Sequence, residues 1–354
     1  MGKNLIRIIL VSVLLLILSI SFFACKGPEG VSDPNLAEAQ RAELGKTENE
    51  DVSTGDVKSM NKLLADDMGI KEISGLEQAV SLQNLSLNNN EIIDISPLAK
   101  LTELKVLNLN NNQINDISPL KGLANLTNLG LSNNKITNIK PLKGLINLQT
   151  VSLGNNEITD ISPLANLINL EVLILDNNKV TDISPLSKLT NLRVLGLNKN
   201  QITDVKALAE LKNLENLVLA NNNISDISSL SELSNLELIM LGGNPLSDIS
   251  ALGELKKLEV ISLSKCEIKD LTPLTKLTDL KQLALNENNL SDISALSKIK
   301  SLEILWLEGN KITDISPLKD LLDLKELYIK GNPISNTDQI NDLRSAGVEV
   351  NFFE

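Results

Sequence analysis

The chain has 354 residues, 45 acidic against 33 basic side chains, a formal charge of −12 and no histidine. That balance excludes nucleic acid and argues against anionic lipid as a partner of the protein surface, because phosphate neutralisation needs clustered Lys and Arg. The usual general base and the commonest metal ligand are missing, and the two cysteines, Cys25 and Cys266, stand in unrelated contexts that do not suggest a disulfide framework.

Residues 1–24 read as an export leader. Lys3 and Arg7 precede an uncharged run of 17 residues from Ile8 to Ala24, the shape of a secretory signal. The small Ala24 directly before Cys25 resembles the bacterial lipobox. That resemblance implies lipidation of Cys25, which becomes the mature N-terminus and carries the acyl chains, palmitate among them. The membrane is then met through the lipid alone. An uncleaved membrane anchor is the alternative, since about 17–25 apolar residues span a bilayer. Both readings put the body outside the cytoplasm, with cell-surface display expected and the periplasmic face as the other option.

Residues 25–32 form a lipidated start and a flexible polar tether. A helical N-terminal cap is expected over 33–59. Asp33 suits an N-cap, Pro34 the first helical position and Gly45 a stop, while a second short helix starts near Thr54. Such a cap covers the first core layer of a repeat array.

From Leu82 to Ser345 the chain repeats every 22 residues without insertion. The pattern is L-x-x-L-x-L-x-x-N-x-I-x-D-I-S-P-L-x-x-L-x-N, as in LKVLNLNNNQINDISPLKGLAN from Leu104. A degenerate copy at 60–81 makes about 13 repeats over 60–345, a sign of stacked coils rather than a globular core. Counting from the first leucine, alternation at positions 1–6 predicts a short strand with leucines inward. The Asn at position 9, as in Asn112 and Asn178, closes the strand and satisfies backbone groups of the turn. The D-I-S-P-L segment predicts a short helical turn, with Ser as cap and Pro just inside. The Asp column is expected to cap turns rather than to bind calcium. Cys266, which replaces the position-9 Asn, reads as a buried structural thiol. Residues 346–354 read as a C-terminal cap strand, with Phe352 and Phe353 sealing the last layer.

The N-x-I-x-D-I-S-P-L signature on a 22-residue period resembles the internalin-like branch of the leucine-rich-repeat family. The resemblance implies an α/β repeat solenoid: a right-handed superhelix with a parallel sheet on the concave face and short 3-10 turns on the convex face. It also implies protein recognition through the concave sheet.

Positions 3 and 5 of each strand point out of that sheet, so their identities are free to serve binding. Val172, Ile174, Val194, Val218, Leu238, Met240 and Val260 form an apolar stripe across its middle. Trp306 and Tyr328, the only Trp and Tyr, share position 5 of adjacent repeats beside Ile304. Exposed aromatics are favoured interface anchors, whereas the valines also suit any strand. The expectation is a non-enzymatic protein-binding lipoprotein of the bacterial envelope, without cofactor, metal or small-molecule substrate. Its partner would be a host surface protein or an envelope component. A structural envelope scaffold without a specific ligand is the alternative.

Overall fold

A computed structural model describes residues 30–48 and 50–352; Cys25, the leader and Phe353 lie outside them. Among the described residues, fourteen three-residue strands form one parallel sheet in strict chain order. β1 (Lys62–Leu64) comes from the degenerate first copy, β2 (Asn84–Ser86) from the first full one, and the series runs to β13 (Glu326–Tyr328) and β14 (Glu349–Asn351). Each strand pairs with the residue 22 positions on, as Lys62 with Asn84 and Val172 with Val194. The last step, Glu326 to Glu349, is one residue longer, because a helix replaces the tight turn there.

The opposite flank is built from 3-10 turns of three to five residues, such as Ser96–Lys100 and Ser162–Leu164. Between the flanks every consensus leucine and isoleucine is sealed, with Leu104, Leu107, Leu109, Ile114 and Leu120 all at 0% exposure. The core is therefore one column of identical aliphatic layers.

The ends are covered as the sequence suggests. α1 (Pro34–Glu43) is capped by Asp33, whose Oδ1 accepts the N–H of Asn35 and Leu36. Its Oδ2 accepts the N–H of Lys71 and Glu72 in the first coil, so one carboxylate starts the helix and pins it to the solenoid. Burial opposes its charge, yet these four donors hold the carboxyl below its ordinary value. α2 (Thr54–Ser59) starts with a reciprocal Ser53–Asp56 capping box. At the far end, α3 (Asp338–Ser345) buries Ile340 and Leu343, and Val350 of β14 turns inward.

The position-9 asparagines do more than close their own turns. Asn178 Nδ2 donates to the carbonyl of Leu175 in its own coil and of Leu153 in the coil before, both at 3.0 Å. Its Oδ1 accepts the N–H of Ile158, also in the preceding coil, at 3.0 Å. The same set recurs from Asn90 to Asn332. Each amide thus staples two coils.

Two further columns carry asparagine for other reasons. Position 8 is left-handed in every full coil, from Asn89 (φ 56°) through Asn177 (φ 53°) to Gly331 (φ 72°). Asn and Gly tolerate that region best; Lys199, Lys265 and Glu287 adopt it too. In the final position of six successive coils, Asn125, Asn147, Asn169, Asn191, Asn213 and Asn235 each donate to a carbonyl of the previous coil at 2.9 Å.

One sequence expectation is corrected. Ser does not cap the 3-10 turns; it is their first residue, and no side chain caps from the preceding Ile95 or Ile117. The Asp two residues before the Ser does the work. Asp94 and Asp116 each accept the backbone N–H of Ser96 and Ser118 at 2.8 Å and the hydroxyl at 2.8 Å. Backbone and then hydroxyl donation holds Asp116 below its ordinary value.

The two adjacent columns separate experimentally. Asn178→Ala strands the buried N–H of Ile158, at about 1–3 kcal/mol, while the carbonyls of Leu153 and Leu175 keep the amides of Asn156 and Asn200, and it should lower the urea midpoint. Asn177→Gly keeps the left-handed backbone, loses only an exposed bond to Asn155, and should change stability by less than about 1 kcal/mol. Equal effects would refute the staple.

Candidate binding face

The chemistry of the concave face follows from its columns. Since positions 4 and 6 are sealed in the core, positions 3, 5 and 7 form three parallel rows of outward side chains. Val172, Ile174, Val194, Val218, Leu238, Met240 and Ile304 all lie there half-buried, as do Trp306 and Tyr328.

The structure brings the apolar stripe together only in pieces. Val172 abuts Val194, and Leu238 abuts Val260, but Asn216 separates the two pairs. In the fifth column Val218 abuts Met240, while Gly196 stands between Val218 and Ile174. A Cβ at Gly196 would sit 3.0–3.1 Å from the Asp176 carboxylate and the Ile174 Cδ1. These side chains therefore lean over the glycine and fill its place.

Trp306 and Tyr328 face one another directly in register. Their rings stack with centroids 5.8 Å apart and planes 13° from parallel. The Tyr328 hydroxyl donates to Glu326 Oε2 at 2.8 Å. With the phenol fixed by a bond and the indole by the stack, the pair is held in one arrangement. On the far side of Trp306 the fifth column offers only the methyl of Ala284.

Position 7 was not recognised from the sequence as a unit. It forms a second polar ladder along the strand ends: Asn88 accepts from Asn110 N–H, Asn110 from Ser132 N–H and Ser132 from Gly154 N–H. Asp176 accepts from Asn198 N–H at 2.7 Å, and Asn286 from Glu308 N–H at 2.8 Å. Residue type varies along it, so no consensus letter marks it; the signal is an acceptor spaced 22 residues from the next coil's N–H. Burial pushes the Asp176 carboxyl up, against the pull of that one bond.

The edge at position 2 is charged. Arg193 holds Glu215 through two bonds of 2.9 and 2.8 Å, and Lys281–Glu259 and Lys325–Glu303 pair at 2.9 and 2.5 Å. These pairs are solvent-exposed and worth little for stability.

Cys266 is 6% exposed, and its Sγ lies 3.6 Å from the Leu241 carbonyl, one of the acceptors that an asparagine amide would use. Burial raises its pKa, which leaves the thiol protonated and unreactive. A thiol cannot replace Oδ1 as acceptor, and Leu246 N–H turns instead to the carbonyl of Asn244 at 2.8 Å, around Pro245. Among the described residues no group of three or more Asp, Glu, Cys or His side chains is placed to hold a metal ion, and no helix is long and apolar enough to cross a membrane.

Tyr328 reports on this face by itself, being the only tyrosine. Its hydrogen bond to Glu326, then burial, then the charges of Glu326, Glu349 and Glu308 raise its pKa above the ordinary 10.0. Absorbance titration at alkaline pH should give a single midpoint above 10.0, and Glu326→Gln should bring it down. A midpoint unmoved by that substitution would place the hydroxyl elsewhere.

The comparisons agree with this geometry. The family described as Leucine Rich repeats (2 copies) matches residues 80–122, 124–166, 168–210, 212–254, 256–298 and 300–345. An internalin of Listeria monocytogenes, InlF, superposes with a TM-score of 0.74 at 32% identity, covering 91% of this chain and 91% of that one. Internalin C2 of the same organism gives 0.53 at 36% identity, covering 66% and 93%. A Leptospira interrogans leucine-rich-repeat protein shares the fold, with a TM-score of 0.71 at 23% identity over 92% and 100% of the two chains. A search of curated proteins by sequence gives no match. With the repeat matched along most of its length and an internalin aligned end to end, this chain belongs to the leucine-rich-repeat family, in its internalin-like branch.

Proposed function

We propose that this chain is a non-enzymatic recognition protein, held to the bacterial envelope by lipid on Cys25 and binding a protein partner through its concave sheet. The observation that carries this reading is the Trp306–Tyr328 stack. In a sheet otherwise lined by aliphatic, polar and a few charged residues, the only two large aromatic polar-tipped side chains meet on the outer surface. Such side chains give the largest contact energy per residue at interfaces.

Ile304 and the aliphatic residues Val172, Ile174, Val194, Val218, Leu238 and Met240 extend the contact along the face. They act as shape-complementary surroundings rather than anchors, because Asn216 and Gly196 interrupt them. The partner class, a host surface protein or a component of the same envelope, follows from exposure outside the cytoplasm. A plant peptide hormone receptor with the same fold, RGFR1, is described in complex with RGF2; at 23% identity it supports the architecture alone.

Two measurements test this reading. Trp306→Ala with Tyr328→Ala should cost at least about 2 kcal/mol at each anchor, abolishing capture of the partner from envelope and host-surface extracts. Far-ultraviolet circular dichroism and the melting curve should stay within error of wild type. Unchanged capture by the double variant defeats the assignment, and a chain that captures nothing specific favours the scaffold. A palmitate analogue fed to the producing bacterium should label wild type and not Cys25→Ala; label that survives the substitution refutes lipidation there.

A further inference from the structure

We infer that the aromatic pair receives a cationic segment of the partner, with an arginine or lysine side chain laid against the indole of Trp306 and held by surrounding carboxylates. This rests on the binding face proposed above and names the chemistry of its occupant.

Three observations converge on it. The first is the open face of the indole. Tyr328 covers one side of Trp306, and the next residue in the column on the other side is Ala284, whose side chain ends at Cβ. In this column the side of Trp306 turned away from Tyr328 has only a methyl group beside it. A flat guanidinium or a lysine stem can lie over such a ring, and a cation over an indole is the strongest of the ring pairings.

The second observation is charge. Glu326, Glu349 and Glu308 all stand close enough to the Tyr328 hydroxyl to act on it electrostatically. Glu326 is partly engaged by that hydroxyl. Glu308 is tied to the ladder by its backbone N–H, which leaves its carboxylate for a ligand. Two of the nearby lysines are already engaged: Lys325 is paired with Glu303, and Lys281 with Glu259. Lys330 follows Glu308 in the seventh column and is exposed, so a cationic ligand competes with it for that carboxylate.

The third is contrast with the rest of the face. Along the middle of the third and fifth columns no residue carries a carboxylate; the nearest are Glu171, Glu215, Glu237 and Glu259 on the position-2 edge, and Asp176 in the seventh column, whose charge is disfavoured by burial. The coincidence of aromatic faces with carboxylates thus falls at one place, the last two full coils. An aliphatic partner would not need the carboxylates, and an acidic one would be repelled by them.

The test uses the purified full chain and its single tryptophan, Trp306, as the reporter. The probes are capped tetrapeptides of arginine, norleucine and glutamate. Tetra-arginine should change the indole fluorescence saturably. Its affinity should fall at least about tenfold in Glu308→Gln/Glu349→Gln, the loss of one or two partly desolvated ion pairs. Glu103→Gln/Glu232→Gln removes the same charge at exposed positions elsewhere and should leave the affinity within about twofold. Norleucine and glutamate peptides should give no saturable change. A response to tetra-norleucine as strong as to tetra-arginine overturns the inference, and so does equal weakening by both double variants, which would mean attraction to overall charge. These failures differ from failure of the binding face itself: partner capture lost in Trp306→Ala/Tyr328→Ala, together with no preference for arginine, keeps the face and rejects the cation.

Discussion

The side-chain amide at position 9 is the interaction on which this molecule depends. A coil of 22 residues has few backbone hydrogen bonds of its own beyond a three-residue strand and a short 3-10 turn. Its tight bend leaves N–H and carbonyl groups pointing into a layer of leucines, where an unpaired group is costly. An amide is the one uncharged side chain with both a two-proton donor and an acceptor, and Asn has the reach to satisfy groups of two coils at once. Because the bonds run between coils, each asparagine also sets the offset of one coil on the next. That offset keeps the outward columns in line. The Trp306–Tyr328 stack is a consequence: the two rings meet because Asn310 and Asn332 hold their coils at the same offset.

The exceptions show how narrow the requirement is. Cys266 supplies a weak donor and no comparable acceptor, and the coil before it carries Asn244–Pro245, whose ring favours the turn that pairs Leu246 N–H with the Asn244 carbonyl. Asn332–Pro333 does the same for Ile334 at 2.9 Å, ahead of the capping helix rather than another 22-residue coil. Proline thus stands where the next coil offers no amide.

These devices also explain what the sequence could and could not reveal. Strand positions, their inward and outward faces, the capping Asp33 and the break at Gly45 follow from alternation and turn chemistry, which are local. The three residues of each strand are legible because period two leaves one arrangement that hides the leucines. The ladder at position 7 and the closing column of Asn125 to Asn235 were not legible, for a common reason. Their partners lie 22 or 23 residues away, and a consensus letter records a residue type without recording its bond. The run of Asn88, Asn89 and Asn90 is the clearest case: one side chain bonds along the ladder, the next suits a left-handed backbone, and the third staples coils. The Ser of D-I-S-P-L misled for the opposite reason. Ser is a frequent cap, but here a carboxylate two residues earlier is the stronger acceptor, and Ser becomes its donor.

At the binding face, adjacency of Trp306 and Tyr328 could be read from the period, whereas their parallel rings and the Tyr328–Glu326 bond could not. Those two features are the reason the proposed anchor lies in this part of the sheet and not in its aliphatic middle. Association must offset the freezing of side chains, about 0.5–1.5 kcal/mol for each mobile one immobilised. A Met or Leu on the surface enters a complex with its rotamers still to be fixed. The stacked pair has already been ordered by folding, through a hydrogen bond and a ring contact that persist without a partner. The rigid ladder of asparagines beneath extends this advantage to the backbone. What the repeat architecture contributes to the proposed recognition is therefore stiffness: identical coils hold a few non-identical side chains in place, so that contact energy is not spent on arranging them.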